Sequence, residues 1–197
     1  MAADLVRVLL DLQPAAEGEL AFWDGRLPVR MTTYICDATP PEELVTSIRT
    51  IVLSDLGPRP SILVMRNPSG IHLWPGGRRM LGETHDQTLH REIREECGLA
   101  VDVVYRLGFV VCHHLGPRPE GYRYPYPDFV NDVYLSVITG VLNAERDVDD
   151  YEIEAKLMAV EELPMAEISP NQRVLLAAAL SRPRTDRRRF SRRGCAR

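Results

Sequence analysis

Three carboxylates near the middle of the chain have the spacing to act together on one ligand. Glu92, Glu95 and Glu96 fall on one flank of a helix when successive residues are placed about 100° apart. A solvated acidic face would be costly here, because Glu92 and Glu96 repel at i,i+4 and the C-terminal half of a helix disfavours anions. A divalent cation would reverse the local field, and carboxylates with a backbone carbonyl suit Mg²⁺ or Mn²⁺. The pattern therefore predicts a metal-binding helix face.

The helix that must position these carboxylates is predicted over His85–Cys97. Thr84 and Gln87 have the spacing of an N-terminal capping box, and Gly98 is a typical C-terminal stop. The apolar stripe of this helix can be buried while the carboxylates face a cleft, and it consists of Leu89, Ile93 and Cys97.

A glycine-rich loop lies directly before the predicted helix. Gly76, Gly77 and Gly82 permit positive φ angles and a close approach of the backbone to a ligand, and Arg78 and Arg79 lie between them. The loop is neither a Walker loop nor a G-x-G-x-x-G loop. Its glycines and arginines are suited to binding phosphate groups.

The loop and helix together resemble the Nudix box, G-x5-E-x7-R-E-U-x-E-E-x-G-U, in which U is a bulky aliphatic residue. Its fixed positions all match, and they are filled by Gly77, Glu83, Arg91, Glu92, Ile93, Glu95, Glu96, Gly98 and Leu99. The resemblance implies a Nudix hydrolase, which is an α/β enzyme with an α/β/α sandwich around a central mixed sheet. Such an enzyme cleaves the diphosphate linkage of a nucleoside diphosphate joined to another group, with divalent cations as cofactors.

The resemblance also implies roles for individual residues. Its metal set is Glu92, Glu95, Glu96 and the Gly76 carbonyl, with Mg²⁺ or Mn²⁺ bound. Arg91 would orient a neighbouring carboxylate, and Glu83 would position a metal-bound water. The general base is left open among Glu92, Asp150, Glu152, Glu120 and Asp128.

Five side chains are candidate substrate contacts: Arg66, Arg78, Arg79, Trp74 and Tyr124. Arg66 ends a predicted strand ahead of the glycine loop, where the family often has a basic residue. Trp74 either stacks on a base or packs in the core. Tyr124 belongs to a segment over residues 115–128 that is rich in proline and tyrosine, which is either a substrate-binding lid or a surface loop.

The remaining sequence predicts three parts. Residues 1–40 are predicted to form an N-terminal extension with a short helix and a hairpin around Asp24 and Gly25. This hairpin packs either on a neighbouring subunit, as in a homodimer, or over the cleft of its own subunit. Residues 41–181 form the Nudix domain, and residues 182–197 an Arg-rich disordered tail. The strands and last helix of the domain are predicted over residues 45–53, 61–66, 101–114, 129–141, 154–163 and 170–180.

Charge and hydropathy exclude two classes of protein. The tail holds eight arginines and one aspartate, which gives it a net charge of +7. Because the whole chain has a net charge of −4, the rest of the chain carries −11. A nucleic-acid partner is therefore not expected, except through the tail. No apolar run approaches the roughly 20 residues of a membrane span, and the chain is expected in the cytoplasm without a membrane partner.

Two other interpretations compete with the hydrolase. One is a catalytically silent module of the same fold that senses a nucleotide or binds RNA, and it predicts stabilisation by a ligand without product release. The other is a purely structural acidic helix, which predicts no stabilisation by Mg²⁺. The leaving group stays open among ADP-ribose, nucleoside triphosphates, dinucleoside polyphosphates, sugar nucleotides and capped RNA.

Overall fold

The computed structural model describes residues 3–23, 25–55, 57–142 and 153–183. The α-helices in these ranges are α1 (Ala3–Leu9), α2 (His85–Cys97) and α3 (Pro170–Ser181). The strands in these ranges are β1 (Ala16–Trp23), β2 (Leu27–Ile35), β3 (Val45–Ser54), β4 (Ser61–Asn67), β5 (Gly70–His72), β6 (Gly76–Arg78), β7 (Leu99–His114), β8 (Asp128–Val141) and β9 (Glu154–Ala159). Short 3₁₀ turns lie at Glu42–Leu44 and Val160–Glu162.

These strands form one mixed sheet in the order β1-β2-β7-β8-β3-β4-β5, with β6 paired to β3 and β9 to β4. The β3–β8 pair is parallel, and the other pairs are antiparallel. Alternate side chains of β3 enter different cores, since strand residues point to opposite faces. Ile48 packs with α1 and α2, whereas Ile51 and Leu53 pack with α3. Helices therefore cover both faces, which confirms the predicted α/β sandwich.

Helix α2 has the predicted bounds and the predicted caps. The Thr84 hydroxyl accepts a bond from the Gln87 backbone N–H, and the Gln87 side chain accepts one from the Thr84 N–H. Gly98 ends the helix with φ of 64°, a left-handed conformation that glycine adopts without strain. Leu89 and Ile93 are fully buried against the sheet. The opposite flank of α2 is thereby left to carry the carboxylates.

The N-terminal hairpin extends the sheet of its own chain. Strand β2 pairs with β7 from Val29 opposite His114 to Ile35 opposite Gly108. At Gly108 the backbone has φ of 146°, and a Cβ atom there would lie 1.9 Å from the Tyr34 carbonyl oxygen. A register shift between β7 and β8 also lies at this glycine, between Arg106 and Gly108. The hairpin therefore joins the sheet of its own chain directly, and the domain boundary at residue 40 stays a prediction.

Several predictions fall outside the described residues. They are the acidic turn over residues 143–150, the candidate bases Asp150 and Glu152, and the tail from residue 184 onward. Among the residues that the structure does describe, no helix is long and apolar enough to span a bilayer.

Candidate active site

Strand β6 lies between β3 and α2, and its glycines make that position accessible. A Cβ atom at Gly76, where φ is 122°, would lie 2.4 Å from the Ile48 carbonyl oxygen. A Cβ atom at Gly77 would lie 2.2 to 2.6 Å from the carboxylate atoms of Glu92. Gly76 is therefore required by the nearby backbone of β3, whereas the space left at Gly77 is filled by a movable carboxylate of α2.

Arg91 connects the carboxylates of this region. Its Nε and Nη2 atoms donate to the two Glu83 oxygens at 2.7 and 2.9 Å. Its Nη1 atom donates to Glu92 at 2.7 Å and to Glu95 at 3.3 Å. The Nη2 atom also donates to the Arg78 carbonyl at 3.1 Å. One guanidinium thus fixes three carboxylates and the glycine loop relative to each other.

The charge on Glu83 is strongly stabilised in this arrangement. The hydrogen bonds from Arg91 lower the pKa of Glu83 from 4.5 to about 2, and bonds from the Met80 N–H and the Thr88 hydroxyl act in the same direction. Conversely, the bond to Glu83 raises the pKa of Arg91. Both members of the pair are therefore ionised at neutral pH.

The Gly76 peptide is held from both sides. Its N–H donates to the Glu96 carboxylate at 3.2 Å, and its carbonyl accepts a hydrogen bond from the Arg49 guanidinium. Arg49 lies on β3, and it was not among the residues singled out from the sequence. The peptide that was predicted to offer a metal ligand thus lies between a carboxylate and a cation.

The metal-binding residues predicted from the sequence lie side by side, but they do not converge on one point. Among the described residues, no group of three or more His, Cys, Asp or Glu side chains is arranged to hold a metal ion. Glu92 and Glu95 contact Arg91, and Glu96 contacts Gly76. The donors are nevertheless all oxygen atoms, which is the set that Mg²⁺ and Mn²⁺ prefer. Together with the space at Gly77, which accommodates a carboxylate, this chemistry fits a hard divalent cation.

Two cavities flank β6. The outer cleft has a volume of about 620 Å³, and its lining includes Arg78, Arg79, Arg91, Glu92 and Tyr124. The inner cavity has a volume of about 540 Å³, and its lining includes Trp23, Arg49, Trp74, Asn131 and Gln172. The fold thus brings four of the five predicted substrate contacts to these cavities, Trp74 to the inner one and Arg78, Arg79 and Tyr124 to the outer one.

Arg78 lies where the outer cleft approaches the inner cavity. Its guanidinium carbon is 4.8 Å from the ring centre of Tyr124, in the outer cleft, and 5.3 Å from that of Trp23, in the inner cavity. The two rings themselves meet edge to face at 6.2 Å. Arg79 instead pairs with Glu42 in the turn before β3. Arg78 is thus held by two aromatic rings at the boundary of both spaces.

Arg66 is the predicted substrate contact that lies apart from the others. It faces Glu154 of β9 across the β4–β9 pair, with Nε 3.6 Å from a carboxylate oxygen. It lines a small pocket of about 50 Å³ whose lining includes none of the other four predicted substrate contacts. The strand pairing with β9 places it there, and that pairing could not be deduced from its position before the loop.

The proline- and tyrosine-rich segment is anchored at one histidine. His114 Nε2 lies 2.8 Å from the Tyr122 hydroxyl, and its ring stacks on Tyr126 with centres 5.4 Å apart. Burial lowers the pKa of His114. Of the two candidate bases nearby, Asp128 is buried against His113 at 2.8 Å, and Glu120 lines a third cavity beyond the outer cleft. Neither carboxylate lines the cleft that contains Glu92.

A buried charge network at the start of α2 was also missed from the sequence. Asp132 accepts hydrogen bonds from Arg106 at 2.7 Å and from the Tyr134 hydroxyl at 3.0 Å, and His85 Nδ1 lies 3.2 Å away. Burial raises the pKa of Asp132, but the bonds from His85 and Arg106 outweigh it, so the pKa lies below its usual value. The sequence signal for this network is Asp132, a charged residue inside an otherwise apolar strand. The network ties the first residue of α2 to β8.

Comparison with known proteins agrees with this architecture. The family description "NUDIX domain" matches residues 45–179. A mutant of the Bacillus subtilis pyrophosphohydrolase BsRppH superimposes with a TM-score of 0.54 and 17% identity, over 81% of this chain and 92% of that chain. A NUDIX hydrolase from Nitrosomonas europaea gives a TM-score of 0.49 and 14% identity, over 69% and 89%. At these identities the likeness concerns the fold.

A further structure in the comparison is a UDP-X diphosphatase, with a TM-score of 0.44 and 16% identity over 72% of this chain. The aligned part spans only 65% of that protein's length. A search of curated proteins finds no match to this chain. The family match nevertheless covers more than half of the chain, including β3, β6, α2 and α3. The chain therefore belongs to the Nudix hydrolase family.

Proposed function

We propose that the chain hydrolyses the diphosphate linkage of a nucleoside diphosphate joined to another group, with Mg²⁺ or Mn²⁺ as its cofactor. The observation that supports this proposal is the bonding of Arg91 to Glu83, Glu92 and Glu95 beside the glycine strand β6. That bonding fixes Glu92 in the lining of a cleft that also contains Arg78 and Arg79. Anionic oxygens and arginines in one cleft suit a cation and a phosphate chain together.

The cation would be held by Glu92, Glu95, Glu96 and the Gly76 carbonyl. When bound, it supplies neutralisation of phosphate charge and a water of lowered pKa. Arg91 holds two of these carboxylates in place, and Glu83 in turn keeps Arg91 from turning toward the substrate. Arg49 donates to the Gly76 carbonyl, so this proposed ligand already has a positively charged partner.

Phosphate groups would be bound by the arginines of the outer cleft. Arg78 is oriented by Trp23 and Tyr124, and a planar guanidinium can donate two parallel bonds to a phosphate. For the general base we keep Glu92, which lines the cleft, together with Asp150 and Glu152. Glu120 and Asp128 are less suited, because neither of them lines this cleft.

The experiment that tests this function compares Glu96→Gln with Asp86→Asn. Both substitutions remove one negative charge from α2, but Asp86 is exposed in the first turn and away from β6. The substrates are ADP-ribose, nucleoside triphosphates, dinucleoside polyphosphates, sugar nucleotides and capped RNA, each with Mg²⁺ and with Mn²⁺. We expect turnover to fall on the order of a hundredfold or more in Glu96→Gln only, with both variants folded.

Two outcomes of this experiment would contradict the proposal. One is a Glu96→Gln variant that keeps most of its activity. The other is a wild-type protein that is thermally stabilised by a nucleotide but releases no product with any substrate, which is the behaviour of a nucleotide-sensing module.

Three further properties stay predictions from the sequence. They are a homodimer, a cytoplasmic location, and contact with nucleic acid through the Arg-rich tail. Light scattering of the purified chain at micromolar concentration tests the first, and a monomer would contradict it. Removal of the tail tests the third, because RNA binding should then disappear.

A further inference from the structure

The inner cavity is built in part by a segment outside the family match. Strands β1 and β2 precede residue 45, where that match begins, and they supply Glu19, Ala21, Trp23, Val29 and Met31 to its wall. The opposite wall comes from the loop before β6 and from α3, through Trp74 and Gln172. The cavity volume of about 540 Å³ lies in the range of small-molecule sites. A ligand in this cavity would therefore contact residues of the N-terminal hairpin, which the family match does not include.

Two polar atoms in the wall of this cavity are buried without a hydrogen-bond partner among the described residues. They are the indole Nε1 of Trp23, which is a donor, and the amide Oδ1 of Asn131, which is an acceptor. The Asn131 amide nitrogen is 3.7 Å from the sulfur of Cys112, so only its oxygen lacks a partner. Buried polar atoms in folded proteins are nearly always bonded, and exceptions mark places where a water or ligand belongs. A donor and an acceptor without a protein partner thus belong to two residues that line one cavity.

The inner cavity also adjoins the proposed site of hydrolysis. Arg49 lines the cavity and donates to the Gly76 carbonyl, while the N–H of the same glycine contacts Glu96 of α2. Trp23 lines the cavity and contacts Arg78, which lines the outer cleft. A ligand in the inner cavity could therefore extend past Arg78 toward the carboxylates.

We propose that the inner cavity binds the base of the nucleotide substrate, with Trp23 as a specificity-determining residue. This inference rests on the proposed function, because it names the part of that substrate held away from the phosphates. A nucleobase has flat apolar faces that suit the Trp23 and Trp74 rings. Its edge carries both donors and acceptors, which complement the Asn131 oxygen and the Trp23 N–H. Sugars and phosphates lack the flat faces.

The chain has two tryptophans, and both line this cavity, so NMR gives a direct test. A nitrogen-15 spectrum of the protein has one indole N–H signal for each, and the Trp74→Phe variant identifies the signal of Trp23. The probes are adenosine, guanosine, cytidine and uridine, with free ribose as the control. We expect at least one nucleoside to move the Trp23 signal in a saturable way, and ribose to leave it unchanged. The proposal is overturned if no nucleoside moves it up to the solubility limit, or if ribose moves it equally.

A substitution provides a second readout. Trp23→Phe keeps an aromatic ring but removes the N–H, so the dissociation constant of the bound nucleoside should rise by about threefold to tenfold. Tyr34→Phe is the matched control, because it removes one hydroxyl from the same hairpin on the opposite face of the sheet. With the full substrate, Trp23→Phe should raise KM more than it lowers kcat. Equal effects of the two substitutions would contradict the proposal.

Failure of this inference can be told apart from failure of the proposed function. If nucleosides bind but no nucleotide is hydrolysed, the base site stands and the hydrolase does not. If a nucleotide is hydrolysed but no nucleoside moves the Trp23 signal, the hydrolase stands and the base site does not.

Discussion

Arg91 donates to Glu83, Glu92 and Glu95, and it thereby holds the three carboxylates close together. The cost of placing like charges on one helix face is offset by this half-buried cation. This gives a physical reason for a basic residue among acidic ones. At the residue scale, the pair formed by Arg91 and Glu83 is the structural support of the site, and its strength depends on the charge of Glu83.

That dependence leads to a prediction about pH. The folded pKa of Glu83 is about 2 and its usual value is 4.5, so its stabilisation is fully present above 4.5 and is lost as the pH falls toward 2. Glu83→Gln should therefore be less stable than the wild type at neutral pH, and the difference should shrink below pH 4.5. Urea unfolding across this range measures it.

The control for this experiment is Glu162→Gln. Glu162 is an exposed glutamate in a 3₁₀ turn, so its removal reports the effect of losing a surface acid. A difference between Glu83→Gln and wild type that stays constant down to the lowest pH at which both remain folded would contradict the assignment.

At the scale of elements, the site depends on how closely β6 approaches α2. Local sequence determines α2 well, because capping residues and a terminal glycine act within one turn of the helix. The predicted bounds of α2 and the first residue of α3 were therefore correct. The approach of β6 is different, since it depends on pairing with β3 some 30 residues earlier in the chain. The spacing of the motif identified Gly77, but it did not show that the Glu92 carboxylate occupies the space where a side chain at Gly77 would lie.

A methyl group at Gly77 tests this approach. Because it would lie 2.2 to 2.6 Å from the Glu92 carboxylate, Gly77→Ala should displace that side chain and lower turnover by about tenfold or more. The fold should survive, since a flexible side chain can move. Gly140→Ala is the control, because Gly140 lies in β8 and the nearest side chain to its Cβ, that of Ala100, is 4.0 Å away. Steady-state kinetics with a melting curve for each variant would measure both effects, and unchanged turnover in Gly77→Ala would show that the contact has no functional role.

At the scale of the whole molecule, the parts of the site that sequence reasoning missed are those assembled from distant segments. Trp23 reaches the cavity because the hairpin pairs with β7, and Arg49 reaches Gly76 because β6 pairs with β3. Arg66 was predicted to contact the substrate, but the pairing of β4 with β9 places it in another pocket. Long-range pairing of strands has no local signature, whereas the carboxylate pattern of α2 is entirely local. The sequence therefore predicted the helix that carries the carboxylates better than it predicted the walls of the two cavities.

The central claim is that the carboxylates of α2 bind a divalent cation, and titration with Mn²⁺ tests it most directly. The paramagnetic resonance signal of free aqueous Mn²⁺ falls as the ion binds, so affinity can be measured without any substrate. The wild type and Asp86→Asn should bind Mn²⁺ with the same affinity, and Glu96→Gln should bind it at least about tenfold more weakly. Equal binding by all three proteins, or no binding by the wild type, would contradict the account.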